Sequence, residues 1–590
     1  MIEPGKTLLD IEIENSLDTL VERFSSPQYK GATIEIWVFD GADRRRAARD
    51  TLFDHGINAS VQCSYKPLVH AALEELNFEQ VSQILVRYPV IRDVPRKRFL
   101  LEAYPFADLA GKCDVRFEPK EAVRGRGLIA YDVKMICADG SRENHEVSAP
   151  NRFGTAFGDE QAYSPCGWLR VRSEQRPELN FDGPLRADQE LAFRAVKDAL
   201  ETEAERSDEP YFDRLDIEVG APFFDHPLAV GHETISTAEA MHEDLYFSAL
   251  DVFKAARGLD AVDRTLTPGQ IVPVLRSRNG PLRVKVATAA DPDLAADKTL
   301  SPLPLVDLPS LDRWLEPAEI KAHIDDLDGE AFEVRSRRGR PVWGSYVSGR
   351  QPGILITAGQ HANETSGPVG ALRAAKHLAK AGQTGFAVAP MVNPDGYALF
   401  RELCRDYPGH MNHAARFTAA GCDLHHVERG FENEAHCIGK EKTDARLHMN
   451  LHGYPAHEWI RPFSGYIPRG ADMWSIPRGF LLILFYNPGW EKQGRAVLEA
   501  VIDALASYAP LVALNEEQMY RSALYSDGFP FRCRGGIPFI IEERPEEMFP
   551  VTIITEAPDE TVYGEAFRLF HTAQMKAVLA AEEAGRTILF

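Results

Sequence analysis

Several absences narrow the chain's class before any motif is considered. No uncharged apolar run reaches the roughly 18 residues of a membrane-spanning helix, and FLLILF near residue 480 falls far short. The 8 cysteines are scattered over 590 residues without a CxxC pair, which suits reduced thiols rather than a disulfide framework. The opening MIEPGKTLLDIEIENSLD has no basic segment followed by an apolar core, so no signal peptide is expected. Positive charge is in deficit, with 66 Lys and Arg against 88 Asp and Glu and a net charge of −22. Nucleic acid and anionic membrane both need a basic footprint and are not expected partners. Neither an internal repeat nor a low-complexity segment stands out. These features together predict a cytoplasmic protein.

What is present describes an ordinary globular chain, 44% apolar and 26% charged. Its length suits three or four domains. Residues 1–145 read as an α+β domain. There ATIEIWVFD forms a strand, Arg44, Arg45 and Arg46 lie on a helix behind it, and Asp139-Gly140 makes a turn. Residues 146–300 read as a second α+β domain. Its signals are a helix opened by Asp188, three histidines (His226, His232, His242) with no metal-site spacing, and a hairpin turning at Asn279-Gly280. Residues 301–325, rich in Pro and Asp, read as a linker. From 326 to 590 strand-like runs recur at GILITA, FAVAPM, LHMNL, FLLILF, IPFII and VTIIT. Helical patterns separate several of them, which predicts an α/β layered fold.

The chemistry gathers at strand ends. Ile354-Leu355-Ile356 reads as a buried strand, followed by His361 and Glu364. A helix then begins with Val369, Leu372, Ala375 and Leu378 on one face. An HxxE pair is weak alone, and His425-His426-Val427-Glu428 repeats the pattern. The first copy gains weight from its position at the end of a buried strand. It gains more from Asn393-Pro394-Asp395-Gly396-Tyr397 and Asn450-Leu451-His452-Gly453-Tyr454 after later strands. Catalytic zinc takes three N or O ligands and keeps one position open. His361, Glu364 and His452 would supply them. Glu556, ending the strand 551–555, is the best-placed carboxylate to take a proton from water.

At HANE (361–364), NPDGY (393–397), NLHGY (450–454) and TEAP (555–558) the chain resembles the zinc carboxypeptidases of the pancreatic carboxypeptidase A type, over roughly residues 330–590. The resemblance implies a mixed-sheet α/β/α domain preceded by a large α+β N-terminal region. It implies zinc on His361, Glu364 and His452, with Glu556 as general base and acid. Glu542 after IPFII is the alternative base. Asp423 would bond His361 and fix its tautomer. An arginine soon after NPDG, Arg401 or Arg405, would stabilise the oxyanion.

One departure bears on substrate. Where the family carries Asn-Arg to clamp a terminal carboxylate, this chain has His425-His426, and an imidazole cannot reproduce a bidentate guanidinium. Arg401, Arg405, Arg416, Arg461 and Arg469 are candidate substitutes, and His426, Arg401, Tyr454, Tyr525 and His457 are candidate pocket residues. The expected function is zinc-dependent cleavage of a peptide or small amide with atypical recognition. Deacylation of a small acylated amino acid is the alternative, and an inactive binding or assembly module the second. The N-terminal region is a candidate cleft wall and oligomerisation platform.

Overall fold

The computed structural model describes residues 1–122, 128–155, 161–290, 303–424, 430–459, 461–465, 476–526, 529 and 531–589. Ahead of residue 300 it holds three four-stranded sheets. One joins Thr7–Ile13, Leu282–Ala289, Arg214–Ala221 and Gln270–Ser277 in that order. A second joins Phe181–Leu185, Gly167–Arg172, Thr33–Val38 and Asn58–Cys63. The third joins Asp114–Ala122, Val81–Ile91, Ile129–Cys137 and Arg142–Ala149, and here Asp139-Gly140 makes the expected turn. The first two sheets draw strands from both sides of residue 145.

The hairpin expected at Asn279-Gly280 does not form. Both strands exist, but Arg214–Ala221 lies between them, parallel to one and antiparallel to the other. Leu215, Ile217 and Val219 are at most 1% exposed, as befits a central strand. The four residues from Arg278 to Pro281 can span the two strand spacings, about 10 Å, that this insertion demands. Local turn chemistry was right about the reversal and blind to the third strand. Of the expected basic helix face, only part is solvated: Arg45 is buried on Glu74, while Arg44 and Arg46 pair with Asp18, Asp40 and Asp43.

The N-terminal element that matters most for the site is α1 (Thr237–Ala256), capped by the Ser236 hydroxyl, which accepts from Glu239 N at 3.0 Å. As expected, Leu245, Leu250 and Phe253 are buried on it.

The alternating signals of the C-terminal part form one nine-stranded mixed sheet. Its strands are β1 (Glu330–Arg335), β2 (Pro341–Val347), β3 (Arg350–Ala358), β4 (Thr384–Ala389), β5 (Leu447–Pro455), β6 (Leu481–Tyr486), β7 (Arg532–Arg534), β8 (Ile537–Glu543) and β9 (Val551–Glu560). The spatial order is β1-β2-β4-β3-β5-β9-β6-β8-β7. Strands β4, β3, β5 and β9 run parallel through the centre, and β1, β2, β6 and β7 each have an antiparallel neighbour.

Side-chain alternation gives the sheet two covered faces. Ile354 and Ile356 pack into the core shared with α2 (Ser366–Ala381), α5 (Glu491–Ala506) and α6 (Gly564–Ile588). Leu355 points the other way, toward α4 (Glu434–Thr443), where a Cβ on Gly439 would lie 2.5 Å from Leu355 Cδ1. The close approach of that helix requires the glycine. Each of these isoleucines and leucines is fully buried, worth about 1.5–3 kcal/mol apiece. The amphipathic stripe on α5 is confirmed, with Val497, Leu498, Val501, Ile502 and Leu505 at most 1% exposed. No single described helix is long and apolar enough to cross a membrane.

Buried polar bonds stitch α1 to the loop after β5. Glu239 accepts from His457 Nε2 at 2.8 and 2.9 Å and from Met411 N at 2.7 Å. Asp244 accepts from Phe463 N at 2.6 Å and Ser464 N at 3.0 Å. Burial opposes a charge on His457, but the Glu239 carboxylate outweighs it and holds the imidazolium up to about 9. A histidine raised in the folded state stabilises fully below its ordinary value of 6.5, and the contribution fades as pH climbs through about 9. His457→Leu, which strands Glu239, is therefore expected to cost about 3–5 kcal/mol at pH 6. The gap to wild type should shrink by pH 9.5 in denaturant melts. A gap that stays constant or widens with pH would contradict the pairing.

Candidate metal centre

Strand β3 ends at Ala358, and the chain then turns sharply through Gly359, whose φ is +66°. A Cβ there would meet Met391 Sδ at 2.6 Å, so glycine is the residue that fits. His361 and Glu364 follow in the turn before α2. The first turn of α2 is fixed from β9, where Asp559 Oδ2 accepts from Ser366 N at 2.8 Å. His452 comes from the parallel neighbour β5. The sequence thus brings a turn and a strand end to one point, as the motifs predicted.

Three donor atoms converge there. His361 Nδ1 lies 2.7 Å from Glu364 Oε1 and 3.1 Å from His452 Nδ1, and His452 Nδ1 lies 3.1 Å from Glu364 Oε2. Tetrahedral ligands at zinc-like bond lengths of about 2.0–2.1 Å sit about 3.3 Å apart, so the set fits a small divalent cation. All three side chains are buried, at 1–5% exposure. Two imidazole nitrogens facing each other across 3.1 Å are electron-pair donors to a shared centre, a poor arrangement for a hydrogen bond alone. Burial alone would push the Glu364 carboxyl up, yet the two imidazoles hold it well below the usual carboxylate range.

The surrounding bonds set the donor chemistry. His361 Nε2 donates to Asp423 Oδ2 at 3.0 Å, which leaves Nδ1 with its lone pair toward the centre. Gln360 donates to Asp423 Oδ1 at 3.0 Å and accepts from Asn450 Nδ2 at 3.2 Å. Asn450 in turn accepts from Thr357 Oγ1 at 3.0 Å. Gly453 N donates to Glu364 Oε2 at 2.9 Å, and Gln574 Nε2 holds the His452 carbonyl at 3.0 Å. The His361 and Glu364 side chains are therefore oriented by further bonds, and His452 is held at its backbone.

Glu556 on β9 is the register partner of His452 on β5, which sets its side chain beside the cluster. It is partly exposed. Burial first, then the Glu364 and Asp559 charges, push its carboxyl well above the usual range, against the pull of Arg416. Glu542, the alternative base, lies two strands away on β8 and is paired to Arg544 at the surface.

The arginine assignments need correction. Arg401 is paired to Glu316 at 2.7 Å and lines a separate pocket with Trp343 and Tyr397, and Arg405 is exposed. The reason is geometric. Helix α3 (Pro394–Leu403) starts at NPDG and, at 1.5 Å per residue, carries its far end about 10–15 Å away. The chain returns after that helix and delivers Arg416, whose Nη1 lies 3.1 Å from Glu364 Oε1. Arg416 also lies in the field of Asp423, Glu560 and Glu556.

Other expected pocket residues serve packing. The Tyr454 hydroxyl donates to Gly479 O at 2.6 Å and accepts from Arg478 N at 3.0 Å, with the ring 4% exposed. Tyr525 is fully buried and accepts from Ala107 N at 3.0 Å. His457 holds α1, as described. Arg461 is buried against the Phe247 ring. His425, His426 and Arg469 lie outside the described residues. Sequence reasoning missed Glu560, which lies in the field of Glu364 and Arg416; simple alternation could not have paired it with Glu556, because the register of β9 shifts between them.

Removing a ligand should abolish tight binding: His361→Ala and His452→Ala are each expected to lose zinc to a chelator that the wild type resists. Asp423→Asn is expected to weaken binding about 10–100-fold while the fold persists. Zinc per chain after dialysis, with circular dichroism as the fold control, reads both. Undiminished binding by His452→Ala would remove this site.

Residues 332–448 match the family model described as zinc carboxypeptidase. That span contains HANE, NPDG and Asp423, and it ends four residues before His452. No curated protein matches the chain. Among solved structures, a provisionally named metallopeptidase from Shewanella baltica is 15% identical with a TM-score of 0.29, over 46% of this chain and 90% of that one. A second, from Shewanella denitrificans, is 16% identical with a TM-score of 0.29, over 46% and 89%. An aspartoacylase family protein from Mesorhizobium loti is 15% identical with a TM-score of 0.22, over 43% and 68%. On the match over residues 332–448 and the motifs it contains, the C-terminal part of this chain is metallocarboxypeptidase-like and resembles the zinc carboxypeptidase hydrolases.

Proposed function

We propose that the protein hydrolyses an amide or peptide bond with zinc held by His361, Glu364 and His452. The observation that carries this reading is the convergence of two Nδ1 atoms and a carboxylate within 2.7–3.1 Å. A further carboxylate, Glu556, stands on the neighbouring strand. Zinc bound there supplies a Lewis acid that acidifies water and polarises a carbonyl.

The chain's own residues do the rest. Asp423 keeps His361 in the tautomer whose Nδ1 is free to bind metal. Glu556 takes the proton from the attacking water and hands it to the leaving amine nitrogen, the ordinary double duty of a general base and acid. The Arg416 guanidinium, aimed at the cluster, offers N–H donors to the oxygen on which negative charge develops. The stacking of Tyr246 on Phe417 and of Phe247 on Trp459, at 5.9 and 5.7 Å, supports a reading in which the N-terminal region walls the approach. A walled site favours a small or extended substrate over a folded protein. That favours the second reading, deacylation of a small acylated amino acid by the same machinery.

Glu556→Gln is expected to retain one zinc per chain and lose at least about a thousandfold in kcat. Arg416→Ala is expected to lose about 10²–10³-fold in kcat with zinc retained. A panel of peptides and acyl-amino acids, assayed alongside zinc content, checks both and separates peptidase from deacylase. Full activity in Glu556→Gln would transfer the base role elsewhere. A zinc-loaded wild type inert on every class of amide would favour the binding-module reading.

A further inference from the structure

A second concave site lies apart from the metal centre. Strand β2, helix α3 and the helix Pro317–Asp325, which belongs to the segment expected as a linker, enclose an open pocket of about 530 Å³. None of the residues assigned to the metal centre lines it. Ile320, Met391 and Tyr397, which are 2–6% exposed, give it an apolar floor. The Tyr397 hydroxyl donates to Leu315 O, and Trp343 Nε1 donates to Glu333 Oε2 at 3.1 Å, so the polar tips of both aromatic residues are already satisfied. Three prolines and an alanine complete the apolar lining.

The charge of the lining runs against that of the chain. The sequence carries 88 acidic residues against 66 basic ones, yet the two charged residues that line this pocket are both arginines, Arg340 and Arg401. Neither of their carboxylate partners lines it. Arg340 Nη1 donates to Asp395 Oδ1 at 3.0 Å, and the arginine side chain is only 10% exposed. Arg401 Nη2 lies 2.7 Å from Glu316 Oε2, in a partly exposed pair of the kind that holds its members loosely. A guanidinium has five N–H donors, and Arg401 Nε makes no hydrogen bond among the described residues. A second acceptor at Arg401 therefore has donors to meet. Each guanidinium is partly balanced by its own carboxylate, which suits a singly charged anion better than a phosphate dianion. The apolar remainder of the lining suits a ligand with an apolar body rather than a bare hydrated ion.

We propose that this pocket binds a small carboxylate with a ring-sized apolar body, its carboxyl group on the Arg340 and Arg401 guanidiniums and its body against Trp343 and Tyr397. Charge complementarity selects the head group, since a guanidinium pairs with a carboxylate through two parallel N–H bonds. The aromatic and proline lining selects the body. Met391 in the pocket wall is also the residue packed against Gly359, so the ligand lies one side chain away from the turn that carries His361. The inference does not rest on the hydrolase reading, because the binding it asserts needs no turnover.

The test uses the full-length, zinc-loaded protein and three probes, benzoate, benzyl alcohol and phenyl phosphate, with affinities read by calorimetry near neutral pH. Benzoate is expected to bind at least about tenfold tighter than either of the others, as a charge-assisted pair in an apolar pocket should. Arg401→Met keeps the apolar stem and removes a partly exposed charge; it is expected to weaken benzoate at least about fivefold and to leave benzyl alcohol unchanged. Trp343→Ala is expected to weaken both. Equal or absent binding of benzoate and benzyl alcohol by wild type overturns the proposal before any variant is made. Benzoate affinity unchanged in both variants also overturns it, because the probe is then held elsewhere, the zinc included. A preference for phenyl phosphate does the same and turns the site into one for phosphate esters. Benzoate binding that depends on Arg401 in a protein that cleaves no amide would leave this site standing and sink the hydrolase reading. An active hydrolase whose benzoate binding ignores Arg401 would do the reverse.

Discussion

Burying the Glu364 carboxylate between two imidazoles is the constraint on which the rest of the C-terminal part depends. At 1% exposure an ionised carboxyl is tolerable only if it is surrounded by donors and positive charge. The protein meets this with parallel strands. Three of them, β3, β5 and β9, end at the same edge, so one register of backbone bonds places His361, His452 and Glu556 together. Gly453 N and Arg416 supply further donors to Glu364. Donor side chains do not wander on such a platform, because moving one would break a β-ladder.

The N-terminal half is part of this arrangement rather than an appendage to it. Helix α1 sends Glu239 and Asp244 to hold the loop after β5, which is the segment immediately following the third ligand. The same helix stacks Tyr246 on Phe417 and Phe247 on Trp459. Buried charged bonds are a poor way to gain stability, since their desolvation offsets most of the attraction. They are a good way to fix one geometry, because any slip leaves a charge stranded.

How much of this was legible in the sequence depended on range. The strands and the stripe on α5 are local patterns, and each was readable from side-chain period alone. The convergence of His361, Glu364 and His452 was readable because the motifs that carry the family resemblance imply it. Failures came where distant segments intervene. The strands around Asn279-Gly280 looked like a hairpin, but Arg214–Ala221, more than fifty residues earlier, inserts between them. Arg405 follows NPDG closely in sequence, yet α3 spends those residues travelling away from the site. Arg416 is farther in sequence and nearer in space.

Charge accounting joins these pieces. Glu364, Asp423, Glu556, Asp559 and Glu560 crowd one region, with Glu243 just beyond, against the guanidinium of Arg416. Burial and mutual repulsion push Asp559 up to about 8 and Glu556 and Glu560 well above the ordinary range. Such a region is destabilising as it stands, and proteins keep strain of that kind where binding relieves it. A divalent cation on the His-Glu-His set relieves one part of the surplus.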